Sequence, residues 1–152
     1  MAFAFTLQGL LRVRESFERR EAQEVAVATA EVRRLSALLS AIRERLACAA
    51  DEMAQLLRRG TTGAELQLRH LEKMMLERRQ RDLAESVAAA VTELRNQQER
   101  WRLARQKRKI LDQLRHQQLM DFLLTQRRRE QQQLDDAFLL RRSQETPAEN
   151  IA

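Results

Sequence analysis

The chain has 152 residues, the size of one domain. Aromatic residues are 4% and charged residues 33%. That balance cannot fill a globular core of ordinary thickness, but it can fill a narrow seam between two helices. Ala, Leu, Glu, Lys, Arg and Gln dominate, as in long helices and coiled coils. No apolar run approaches the roughly 18 residues that cross a bilayer, so direct membrane insertion is not expected. The start, Met1-Ala2-Phe3-Ala4-Phe5, has no charged region ahead of an apolar one, so a secretory signal is not expected and the chain should be cytoplasmic. Cys48 is the single cysteine, which excludes an internal disulfide and reads as a small helix-face filler.

The formal charge is +6, and it is unevenly spread. From Arg100 to Arg142 there are 12 Lys plus Arg against 5 Asp plus Glu, while the rest carries 16 against 17. The positive half could meet an acidic protein surface, anionic lipid or nucleic acid. It lacks interleaved stacking aromatics and a base-reading motif, so nucleic acid is not the expected partner.

The first helix is expected to begin near residues 4 to 6, with Thr6 as its cap, giving a helix over 5–58. From Val25 the residues Ala28, Val32, Leu35, Leu39, Ile42, Leu46, Ala49, Met53 and Leu56 alternate steps of three and four. That is a heptad seam. Extended backwards, the same register gives Glu21, Glu18 and Arg14, then Leu11 and Leu7: a polar gap, after which the seam resumes. A turn is expected over 59–63, where two of the three glycines lie. Gly60 can take the left-handed conformation that ends a helix. Thr62 with Glu65 reads as a capping box that starts the next.

The second helix, expected over 64–142, carries a partner seam: Leu66, Leu68, Leu71, Leu76, Leu83, Val87, Ala90, Leu94, Trp101, Ala104, Leu111 and Leu114. A bend near residue 61 pairs positions whose numbers total about 122, as Leu39 with Leu83 or Leu11 with Leu111. The same rule puts Arg14 opposite Arg108 and Glu21 near Trp101, so this zone should pack least well. The expected fold is therefore all-α: two long helices in an antiparallel coiled-coil hairpin, one domain, the second helix overhanging the first. Phe5 should pair near residue 117, leaving roughly 25 residues, or about 38 Å, of overhang. The overhang carries Leu119, Met120, Phe122, Leu123, Leu124, Leu134, Phe138, Leu139 and Leu140, an apolar stripe that implies an outside partner. The tail 143–152, with Pro147, reads as disordered.

No catalytic set can be assembled, and an enzyme is not expected. His70 and His116 have no second His or Cys at ligand spacing, so neither a metal nor another cofactor is expected. The adjacent Asp135 and Asp136 point to different helix faces and read as a solvated or partner-facing pair. Trp101 falls on the seam, and Arg127-Arg128-Arg129 lies on the overhang.

Three segments carry a resemblance to a known family. Trp101-Arg102-Leu103-Ala104-Arg105-Gln106-Lys107-Arg108-Lys109-Ile110-Leu111-Asp112-Gln113-Leu114 resembles the Trp, basic, Gln-rich segment of the flagellar export protein FliJ. Arg128 to Phe138 is similar to that family's closing motif, with Asp-Asp where the family more usually has Asp-Glu. Leu7-Gln8-Gly9-Leu10-Leu11-Arg12-Val13-Arg14 is similar to its opening motif. YscO-type injectisome stalk proteins are similar as well.

The resemblance implies a cytoplasmic stalk of the type III export apparatus, peripheral to the inner membrane at the flagellar base. Its partners would be the hexameric export ATPase, an export-gate membrane protein and, for some members, export chaperones. The ring contact is expected at Phe122, Leu123, Arg127, Arg128, Arg129, Leu134, Asp135 and Asp136, with Leu7 and Leu10 beside them. The gate contact is expected at Leu38, Met74, Met75 and Arg79. The alternatives are a chaperone-escort coiled coil for export substrates or a YscO-type injectisome stalk.

Overall fold

The computed structural model describes residues 2–145. It is an all-α helical hairpin of two helices, α1 (Gln8–Arg59) and α2 (Gly63–Glu145). Contacts group it into two units: Met1–Glu15 with Gln106–Ala152, here the terminal unit, and Ser16–Arg105, the turn unit. The division falls in the polar interruption of the α1 seam, between Arg14 and Glu18.

In the turn unit, chain reversal is local chemistry. Arg59 is the last residue of α1, and Gly60 follows at φ +85°, where a side chain would be strained. Thr62 then starts α2: its carbonyl accepts from the Leu66 amide (3.2 Å) and its hydroxyl oxygen from the Glu65 amide (3.3 Å). The expected capping box closes differently from its usual form. The Glu65 carboxylate accepts from the Thr61 hydroxyl at 2.8 Å, which ties the loop to the first turn of α2.

Every predicted seam position of α1 from Val25 to Leu56 is at least half-buried, and Leu39 is buried. On α2 the seam differs from expectation near the turn. Leu68 and Leu71, expected inside, are 66% and 57% exposed. The reason is phase. Leu68 lies two residues past Leu66, roughly 200° around the helix, and Leu71 lies five before Leu76. The inward positions there belong to Arg69 and Glu72, both half-buried. Farther along, Gln80 and Gln97 occupy the inward steps between the apolar ones. Arg69 donates to Glu52 on α1 (3.2 Å) and to Glu72 (3.2 Å), while Arg45 reaches Glu52 (3.2 Å) and Glu72 (2.6 Å). These two arginines and two glutamates tie the helices across the gap that leucines would otherwise fill. Trp101 is half-buried, and the Arg105 guanidinium lies 5.4 Å from its ring centre. The Gln97 side-chain oxygen is buried without a hydrogen-bond partner.

In the terminal unit, α1 starts later than residue 5. Phe5, Thr6, Leu7 and Gln8 form a turn closed by Gln8 N–H to the Phe5 carbonyl (3.1 Å), and the Leu7 carbonyl accepts the first helical bond, from Leu11 (2.9 Å). Leu11 is fully buried, and Phe5 is buried as well. Phe3 reaches Phe122, with ring centres 5.7 Å apart. The non-helical start of the chain thus covers α2 farther than the expected residue 117. Non-helical chain advances up to about 3.3 Å per residue against 1.5 Å in a helix, so two residues before Phe5 span about four of α2. Arg14 and Arg108 are both half-buried, and Arg108 pairs with Asp112 on its own helix.

The free part of α2 is correspondingly shorter than expected. Gln126 is half-buried, and residues 127 to 144 are all exposed, roughly 27 Å of helix. Ser143, Gln144 and Glu145, expected in the disordered tail, continue α2. The rest of that tail lies outside the described residues.

The glycines give a paired test of the backbone. Gly60→Ala should destabilise the fold by about 1 kcal/mol through its left-handed φ. Gly9→Ala, inside α1 with open space around it, should stabilise it by about 0.5–1 kcal/mol. Thermal melting followed by circular dichroism should move in opposite directions for the two.

Candidate functional site

A seam this narrow leaves most apolar side chains outside, and two of the surfaces they form hold the residues expected at contacts.

The first belongs to the terminal unit. Of the residues expected at a ring contact, Phe122 is half-buried against Phe3, and Leu123 is exposed. Arg127, Arg128, Arg129, Leu134, Asp135 and Asp136 all lie on the exposed part of α2. Leu134 is 69% and Phe138 64% exposed. Leu7 and Leu10, also expected there, are exposed at the start of α1. The unit thus holds all ten, with Phe122 partly covered by its own chain and the others open.

The second belongs to the turn unit. Leu68, Leu71, Glu72, Met75, Leu76 and Arg79 line a groove of about 590 Å³ along α2. Met75 is 73% exposed. The groove brings together Met75 and Arg79 of the four residues expected at a gate contact. Met74 and Leu38 are exposed but do not line it. Leu68 and Leu71 were missed for this surface because their apolar character assigned them to the seam. Their phase relative to Leu66 and Leu76 is the signal that would have placed them outside.

Electrostatics ties this groove to the network beside it. Glu72 lines the groove and also pairs with Arg45 and Arg69. The hydrogen bond from Arg45, aided by the charges of Arg45 and Arg69, holds the Glu72 carboxyl below its ordinary range, and the Arg45 guanidinium is raised in turn. These side chains keep 34–42% of their surface open to solvent, so the network sets side-chain positions more than it adds stability.

Chemistry of other kinds finds no cluster here. Among the described residues no three of His, Cys, Asp and Glu gather as metal ligands. His70, His116 and Cys48 are exposed. Among the described residues no helix is long and apolar enough to cross a membrane.

The model of a protein family, described as flagellar FliJ protein, matches residues 3–146. No curated protein and no solved structure matched.

The network predicts an acid-sensitive element. A carboxylate whose pKa falls on folding contributes stability that is present above its unfolded value, near 4.5, and lost as pH drops through the lower folded one. Glu72→Gln should therefore lower the melting temperature slightly at pH 7 and flatten its fall below about pH 4.5 to the same small extent. Parallel acid limbs for variant and parent would show that the pair does not act this way.

Proposed function

The chain belongs to the FliJ family, and we propose that it is a central-stalk component of the flagellar type III protein export apparatus. In this reading the terminal unit enters the ring of the hexameric export ATPase and promotes ring assembly and hydrolysis. The turn unit meets the membrane export gate. The chain supplies no catalysis of its own. It works in the cytoplasm against the inner membrane at the flagellar base, and export chaperones are further candidate partners.

One observation carries the reading most: residues 127 to 144 of α2 are exposed on every side, yet hold Leu134, Phe138, Leu139 and Leu140 together with five arginines. A helix in water gains nothing from such a surface. Inside a ring pore the apolar side chains would be covered and the arginines would meet carboxylates. The groove at Leu68, Leu71 and Met75 supports a second protein contact in the same manner, with Glu72 and Arg79 as its polar flanks.

Cutting the chain after Gln126 tests this without touching the covered part of the terminal unit. Turnover of the cognate export ATPase should rise with the full chain and not with the shortened one. Equal stimulation by both would place the ring contact elsewhere, and stimulation by neither would favour a chaperone escort over a stalk.

A further inference from the structure

Most apolar side chains of the exposed helix are not a continuation of the seam. At 100° per residue, Leu111, Gln118 and Phe122 point one way, toward the start of the chain in the same unit, where Phe3 meets Phe122. Continued past Phe122, that direction meets Gln126, Arg129 and Gln133, which are polar, before it reaches Leu140. Met120, Leu124, Leu134 and Phe138 instead point roughly 120–200° away from Phe122. All four are exposed. With Arg127, Gln131 and Arg141 they step by four and three in turn, a second heptad stripe on the uncovered side of α2. Leu139 and Leu140 lie off it.

A second copy of the chain fits this stripe poorly. An antiparallel pair that sets Met120 on Phe138 and Leu124 on Leu134 also sets Arg128 against its own copy and Asp121 against Asp135. A parallel pair stacks Arg127 on its own copy and puts Glu130 beside Asp135. Like charges oppose each other in both. What the stripe lacks is a carboxylate in line with Arg127 and Arg141, which stand two heptads, about 21 Å, apart.

We propose that this stripe docks an amphipathic helix of another protein, apolar at its centre and carrying carboxylates two heptads apart to meet Arg127 and Arg141. Docking on this side leaves Phe3, Phe5 and Leu11 in place over the other side of α2. The inference deepens the stalk reading and rests on it for naming the export ATPase as the protein that brings the helix.

Two exposed double variants separate the faces at equal charge: L134E/F138E on the stripe, and Q133E/L140E on the opposite side of the same segment. Each is made in the full chain. The probe is a synthetic labelled helix with a leucine stripe and glutamates two heptads apart, beside a twin with lysines there. By fluorescence anisotropy the glutamate helix should bind the parent and Q133E/L140E at least about tenfold more tightly than the lysine helix, and L134E/F138E should lose that binding.

No binding, equal binding of both helices, or equal loss in both variants would overturn the proposal. Sedimentation equilibrium should show a monomer at equal loading. A dimer abolished by L134E/F138E would assign the stripe to a second copy and overturn it as well. With the export ATPase, stimulation by the parent and Q133E/L140E alone supports the proposal. Stimulation by all three overturns the face while leaving the stalk reading intact. Stimulation by none removes the stalk reading, and the peptide result then decides the face by itself.

Discussion

Two helices packed along a single stripe can bury only about two side chains in every seven, and the rest must be tolerated by water or by another protein. This chain works close to that limit. Leu11 is its one fully buried large side chain among the described residues, and Phe5 and Leu39 are the other buried ones. Most seam residues are half-covered. Helices of this length hold together through the continuity of such a stripe more than through any one contact. A phase error of a single residue therefore decides whether a leucine packs or faces solvent, as Leu68 and Leu71 illustrate.

The stripe is not uniformly apolar, and its polar steps give the molecule its internal differences. Near the turn, Arg45, Glu52, Arg69 and Glu72 replace apolar layers with cross-helix ion pairs. Farther on, Gln97 holds a buried oxygen without a partner, and Glu18 and Glu21 interrupt the α1 register. Each such step gives up some burial, and the contacts divide into two units in this same zone. Sequence reasoning found the interruption because a charged residue on a strict heptad position is visible without a structure.

Legibility followed periodicity. The α1 seam from Val25 to Leu56 could be read position by position, since steps of three and four leave no alternative face. The turn was legible from Gly60 and Thr62, whose chemistry is local. What could not be read depended on geometry outside a helix. The reach of Phe3 to Phe122 needed the non-helical start of the chain, and it shortened the free part of α2. The candidate surfaces were legible as residue types and not as faces. Leu134 and Phe138 stand out in the sequence as apolar residues without a partner, and Met75 as an expected gate contact, but only the burial pattern shows the surfaces on which they lie.

The central claim is that the exposed end of α2 is the part of this protein that another protein covers. Hydrogen exchange along the full chain, alone and with the cognate export ATPase, tests it most directly. Alone, amides in residues 127 to 144 should exchange faster than those of the seam layers between Val32 and Leu56. With the ATPase, that fast segment should become protected while the seam layers stay as they were. Protection confined to the groove around Leu68 and Met75, with residues 127 to 144 still exchanging freely, would contradict the account.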